Sequence, residues 1–245
     1  MQDPASLGSP VTLADEEAVR RVVSESVLHL WDVVNNLTRL RPSRRERYRV
    51  TVFGSARATE GSFAYTEVRR VAAALSTAGC DVITGGGPGL MRAANEGAAD
   101  AARSGGTGHS VGIRIDLPFE QEVNPYVHET FTHRTFFTRL HQFTLMSDAY
   151  IVVPGGVGTV LELMLVWQLL QVQHVENAPL ILVGKMWTGL VEWARTAFLE
   201  GNQPLANPED LAIPQCVDTA DEAIAIVNEY RSRWATAREA GAPHA

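Results

Sequence analysis

Cysteine and clustered positive charge are the scarce things in this chain. Among 245 residues there are two cysteines, Cys80 and Cys216, and they stand outside any metal-spaced motif. That argues against a zinc module and against a disulfide scaffold, and makes a reducing cytoplasm the expected compartment. The net charge is −7, and no basic block occurs beyond the short run Arg39 to Arg49. Nucleic acid is therefore disfavoured as the main partner. No apolar run approaches the roughly 20 residues that span a bilayer, so no membrane partner is expected either. Residues 1–12 are polar and lack the apolar core of a signal peptide. Nothing in the pattern asks for a metal or a cofactor.

What is present is ordinary in amount and informative in arrangement. Hydrophobic residues make up 45% and charged residues 20%, the balance of a soluble globular protein. The organising stretch is Val152-Val153-Pro154-Gly155-Gly156-Val157-Gly158-Thr159-Val160-Leu161-Glu162. An apolar run from Ala149 to Val153 reads as a buried strand, a glycine turn follows, and a helical pattern opens at about Gly158. Glycines let the backbone approach a ligand closely. The first N–H groups of a helix lack intrahelical partners and carry partial positive charge, which suits an anion such as phosphate. Thr159 adds a hydroxyl in the first turn, and Glu162 lies one turn further on the same face. A glycine turn alone serves packing as often as binding. A carboxylate among Val160, Leu161, Leu163, Met164, Leu165, Val166 and Trp167 is harder to explain by packing.

Taken in order, residues 1–12 are expected to be disordered and one domain to run from 13 to 234. Asp15 and Glu16 start a helix with an apolar stripe at Val19, Val22, Val23, Val27, Leu30, Trp31 and Val34, which Pro42 and the charged run after it end. Arg49 to Phe53 is a strand leaving into Gly54-Ser55. Phe63 to Ala78 is a helix stopped by Gly79, and Asp81 to Thr84 is a second strand. That strand enters Gly85-Gly86-Gly87-Pro88-Gly89, a second glycine-rich turn, followed by a helix from Leu90 to Arg103. Ser110 to Ile115 is a strand, Asp116 to Val127 a loop, Glu129 to Thr132 a short strand and His133 to Met146 a helix. After the organising stretch, with its helix from Thr159 to Gln173, come a strand at Pro179 to Val183 and a helix at Trp187 to Phe198. Cys216-Val217 closes the sheet, and Thr219 caps a last helix, Ala220 to Arg231, with Glu222 in capping-box position. Residues 235–245 read as a flexible tail. Alternating strands and helices with short connections imply right-handed crossovers, hence an α/β fold with a doubly wound, Rossmann-like parallel sheet flanked by helices. Both glycine turns then share the edge formed by the strands' carboxyl ends, where ligands of such sheets bind. The second turn does not fit the dinucleotide fingerprint Gly-x-Gly-x-x-Gly, which disfavours a nicotinamide enzyme.

These residues resemble the "lonely guy" (LOG) family of cytokinin riboside 5′-monophosphate phosphoribohydrolases, often misnamed lysine decarboxylases. Pro154 to Glu162 matches the family signature Pro-Gly-Gly-x-Gly-Thr-x-x-Glu at every defined position. Gly85 to Met91 matches Gly-Gly-Gly-x-x-Gly-Leu-Met save that a single proline, Pro88, makes up the variable part. Gly54-Ser55 matches the first-strand turn, and Ala93 to Ala98 resembles the longer bacterial members. The resemblance spans about residues 48–230. It implies a catalytic arginine on the helix before the signature strand, and counting back from Pro154 selects Arg139, with Arg134 as the rival. A lysine usually follows that arginine, whereas this chain has Leu140.

By that resemblance the reaction is hydrolysis of the N-glycosidic bond of a nucleoside 5′-monophosphate to free base and ribose 5-phosphate. Arg139 and Glu162 would be catalytic. Gly54, Ser55, Gly86, Gly87, Gly89, Met91, Asn95, Gly155, Gly156, Gly158 and Thr159 would bind phosphate and ribose, without cofactor or metal. The chemistry suits the residue types: a carboxylate stabilises an oxocarbenium-like centre, and a guanidinium holds phosphate or ribose oxygens in fixed geometry. The alternative is a non-catalytic carrier of a phosphorylated ligand such as molybdenum cofactor, to which Glu162 would bring nothing. Decarboxylation of an amino acid normally needs a pyridoxal lysine. Lys185, the single lysine, sits at a strand exit without such a motif. At least a homodimer is expected, because the helix after Thr159 is apolar nearly all round and must be covered on every side.

Overall fold

The computed structural model describes residues 12, 14–37, 46–116 and 123–240. The chain divides into two units, Met1–Pro42 and Ser43–Ala245. The first holds helix α1 (Glu16–Leu37), whose start is capped where the Ala18 N–H donates to Asp15 Oδ1 at 3.0 Å. Val22, Val23, Val27, Leu28, Leu30 and Trp31 are exposed on it. The expected stop at Pro42, and all but Thr12 of the N-terminal segment expected to be disordered, lie outside the described residues.

The second unit alternates β1 (Arg49–Phe53), α2 (Phe63–Thr77), β2 (Asp81–Thr84), α3 (Leu90–Arg103), β3 (Ser110–Ile115), β4 (Glu129–His133), α4 (Phe136–Met146), β5 (Ala149–Val152), α5 (Val157–Gln171), β6 (Leu180–Val183), α6 (Lys185–Leu199), β7 (Pro214–Val217) and α7 (Ala220–Glu239). The seven strands form one sheet in the order β4-β3-β2-β1-β5-β6-β7, every pair parallel. This is the expected doubly wound architecture. Successive strand residues face opposite sides: Val50, Val52, Ala149 and Ile151 pack under α2, α3 and α7, whereas Phe53, Tyr150, Val152 and Leu182 pack under α4, α5 and α6. Full burial of each such side chain contributes about 1.5–3 kcal/mol.

Strand order reverses between β1 and β5, which is therefore the topological switch point. Their register sets Phe53 opposite Val152, so the two chains leave the sheet level with one another. Gly54-Ser55 and Pro154-Gly155 thus emerge side by side.

Several boundaries differ from the sequence expectation. His133 belongs to β4, and α4 begins at Phe136, because the Thr135 hydroxyl accepts from the Thr138 N–H at 3.2 Å and caps the helix there. Helix α5 opens at Val157, directly after its N-cap Gly156. Strand β7 begins at Pro214. Helix α7 keeps the expected capping box but runs on to Glu239 through part of the expected flexible tail. Tyr230 and Trp234 pack against the core, the Trp234 ring meets Tyr48 edge-on at 5.6 Å, and Arg238 donates to the Glu46 carbonyl at 2.8 Å. Those partners lie far back in the chain, where no local periodicity reveals them.

Candidate active site

Three turns meet at the carboxyl edge around the switch point. The Ser55 N–H donates to the Pro154 carbonyl at 3.1 Å, and the Leu90 N–H donates to the Ser55 carbonyl at 2.8 Å. The β1 exit, the signature turn and the start of α3 are thereby stitched together. Gly89 approaches the β1 exit so closely that a methyl group there would run into the Ser55 carbonyl oxygen, and its φ is +66°.

The helices that open here do so without side-chain caps. Helices α2, α4 and α7 carry Ser62, Thr135 and Thr219, each accepting a backbone N–H of its own first turn. Helices α3 and α5 start on Gly89 and Gly156, which offer no such acceptor, as does α6 on Gly184. No N-cap side chain accepts their first-turn N–H groups, though the Leu90 N–H at the head of α3 donates to the Ser55 carbonyl, and these helix ends set partial positive charge at this edge. Gly156 and Gly158 are exposed, Thr159 is buried, and Gly155 packs directly on the Thr159 side chain.

Arg139 and Glu162 are brought together from α4 and α5. Arg139 Nη1 donates to Glu162 Oε1 at 3.0 Å, with both side chains about nine-tenths buried. Arg139 Nε donates to the Ile113 carbonyl at 2.9 Å, and the guanidinium lies over the Phe143 ring at 5.1 Å, one helical turn along. These contacts fix the fork. Its Nη2 lies over Gly85, 2.5 Å from where a Cβ would stand, so only a residue without a side chain fits beneath it. Met91 crosses Gly85 and Gly87 from the α3 side. Burial pushes the Glu162 carboxyl up to about 7, against the pull of Arg139, which favours the ionised form.

Arg134, the rival, is exposed at the end of β4, whereas Leu140 is buried. Asn95 is fully buried, and its amide is engaged by the Thr84 hydroxyl, Ser110 and Asn124. It supports the second glycine turn from beneath. Thr84 and Asn124 escaped the sequence reading, since a threonine ending a strand and an asparagine in a loop carry no periodicity or motif. His133 sits beside Arg139, and burial with that positive charge holds it below its ordinary pKa. Among the described residues no group of three or more histidine, cysteine or acidic side chains is placed to hold a metal. The two cysteines are free.

A profile of the family described as "possible lysine decarboxylase" matches residues 91–227, more than half of the chain. A probable cytokinin riboside 5′-monophosphate phosphoribohydrolase, LOGL5 of Oryza sativa subsp. japonica, is 30% identical over 190 residues, covering 74% of this chain and 72% of that protein. The chain belongs to the LOG family. Solved structures with the same fold include the molybdenum cofactor carrier protein of Chlamydomonas reinhardtii and the molybdenum cofactor binding protein of Rippkaea orientalis. Each has a TM-score of 0.57 at 19% identity, covering 76% of this chain and 98% of the other. At that identity the likeness is one of architecture alone. Within the LOG chain described here, the signature carboxylate and the preceding-helix arginine form one hydrogen-bonded pair, and both glycine turns lie beside it.

Proposed function

We propose that this protein hydrolyses the N-glycosidic bond of a nucleoside 5′-monophosphate, a cytokinin riboside 5′-monophosphate or AMP, to free base and ribose 5-phosphate. The observation that carries the reading is the buried Arg139–Glu162 pair, 3.0 Å apart, beside two helix N-termini that lack side-chain caps. The N-termini and glycine-turn amides hold the phosphate, and Arg139 holds phosphate or ribose oxygens. Ionised Glu162 stabilises positive charge developing at C1′ and orients the attacking water. The C1′–N bond breaks with its electron pair going to the base, a C1′–O bond forms from water, and the water proton ends on the departing base.

A carrier of a phosphorylated ligand would use the same turns, yet would gain nothing from a carboxylate beside an anion site. The membership of a hydrolase-named relative in the same family also favours catalysis. The test is to incubate the protein with adenosine, AMP, ATP and a prenylated AMP at equal concentration and to measure released base by chromatography. Phosphate contacts of roughly 1.5–3 kcal/mol each make the monophosphate about 10²-fold or more better than the nucleoside in kcat/KM. Equal rates on nucleoside and monophosphate would remove the reading, and binding without any released base would favour the carrier.

A further inference from the structure

The second glycine turn is held from outside by a residue that belongs to none of the motifs. Asn124 lies in the loop between β3 and β4 and is 7% exposed. Its backbone N–H donates to the Gly86 carbonyl at 3.0 Å, and its Nδ2 donates to the Gly87 carbonyl at 3.0 Å and to Asn95 Oδ1 at 2.9 Å. Its Oδ1 accepts from the Tyr126 N–H at 3.2 Å. These backbone partners allow only one orientation of the amide, since the atom facing a carbonyl must be the donor. Asn95 Oδ1 also accepts from the Thr84 hydroxyl at 2.7 Å, and the Thr84 oxygen accepts from the Gly86 N–H at 2.9 Å. The end of β2, the turn, α3 and the loop are thus one buried network.

The network decides which way a peptide faces. No peptide bond among the described residues is cis. In a trans peptide the carbonyl and the following N–H point in opposite directions. With the Gly86 carbonyl directed at Asn124, the Gly87 N–H is turned away from Asn124. The Gly86 N–H already serves Thr84, and Pro88 has no N–H to offer. Gly87 therefore carries the N–H that this network orients and, among the described residues, does not itself engage.

We propose that Asn124 is a positioning residue for phosphate recognition: by holding the Gly86 and Gly87 carbonyls it aims the Gly87 N–H at the 5′-phosphate of the substrate. This rests on the nucleotide-hydrolase reading above. Without the Asn124 side chain the Gly87 carbonyl and Asn95 lose its amide as donor, and the segment that presents the Asn124 N–H to the Gly86 carbonyl is no longer tied to the turn. The Gly86–Gly87 peptide is then free to rotate, and the donor is lost from the substrate complex while Arg139 and Glu162 stay in place.

The experiment compares Asn124→Ala and the milder Asn124→Ser with the wild type on AMP and adenosine, with ribose 5-phosphate as a product inhibitor. Circular dichroism and thermal melting check folding. The expected result is an increase of about 10-fold in KM for AMP and in the inhibition constant of ribose 5-phosphate, with kcat within about threefold. The AMP-to-adenosine ratio of kcat/KM then falls by about 10-fold. General loosening of the fold lowers both substrates alike and leaves that ratio unchanged. An unchanged ratio in either folded variant overturns the proposal, as does a fall confined to kcat. Should Asn124→Ala fail to fold, the ratio in Asn124→Ser decides alone, and failure of both to fold makes Asn124 a residue of the fold and overturns it too. A wild type without preference for the monophosphate would remove the underlying reading before any variant is made. A preferring wild type with unaffected variants removes only the role of Asn124.

Discussion

Glu162 and Arg139 form a buried pair in which the guanidinium favours the ionised carboxylate. Replacing Glu162 by Gln keeps the shape and removes the charge, so the variant is expected to bind ribose 5-phosphate like the wild type and to lose about 10²-fold or more in kcat. Wild-type turnover in the purified variant would take Glu162 out of the mechanism. The raised carboxyl also predicts a pH profile. In the proposed reaction the ionised form is the active one, so kcat/KM is expected to fall as pH drops through about 7 and to be flat above it. Arg139 is one of the influences that lower the Glu162 pKa. Arg139→Ala therefore moves the acid limb to higher pH as well as weakening binding. Arg134→Ala, at an exposed position outside the pair, leaves both the midpoint and KM near wild type. A limb that stays put in Arg139→Ala would separate Glu162 from the titration. A more damaging Arg134→Ala would place the working arginine on the wrong residue.

At the scale of elements, the site depends on a close approach of one backbone segment to another. Gly89 joins α3 to the β1 exit at a positive φ where a methyl group meets the Ser55 and Ala56 backbone. Gly89→Ala is therefore expected to cost about 1–3 kcal/mol, read from urea unfolding, with a parallel loss of activity because two turns of the proposed phosphate site are forced apart. An unchanged unfolding midpoint would show that the turns tolerate separation. Helix α7 is the contrasting case. Its last turns rest on Tyr48 and Glu46, at the opposite end of β1 from the site. Trp234→Ala is expected to lower stability by about 2 kcal/mol and leave kcat and KM unchanged. A selective loss of activity would connect α7 to the site in a way that its contacts do not suggest.

At the scale of the whole molecule, the described residues include no helix long and apolar enough to cross a membrane. They do expose apolar side chains in groups. Phe136 and Phe137 are exposed at the start of α4, Val157 and Leu161 in the first turns of α5, and Val172 just past its end. Helix α1 exposes a further series from Val22 to Trp31. Surfaces of that kind are normally covered by another chain, and closed two-fold dimers are the commonest arrangement. Light scattering at micromolar concentration is expected to give at least twice the 26.7 kDa chain mass. A monomer mass would leave these faces without an explanation.

Local chemistry was enough to read most of the architecture from the amino-acid sequence. Apolar runs of strand length meeting glycine turns, the Thr219–Glu222 capping box and the absence of a second core pattern led to the parallel sheet. The signature from Pro154 to Glu162 and the count back to Arg139 picked the pair that the fold joins. Those features are legible because the residues concerned are adjacent in sequence or repeat at a strand or helix period. Three things depended on distant partners and so became visible only in the tertiary structure. Helix α7 continues past Arg231 because Trp234 and Arg238 find Tyr48 and Glu46. Glu162 titrates near 7 because burial outweighs a guanidinium brought from another helix. The Gly86–Gly87 peptide faces as it does because Asn124, far along the chain, donates its backbone N–H to the Gly86 carbonyl and is tied to the turn by its side chain at the Gly87 carbonyl. A single side chain in a loop has no period to betray it, and its role exists only once the fold has placed it.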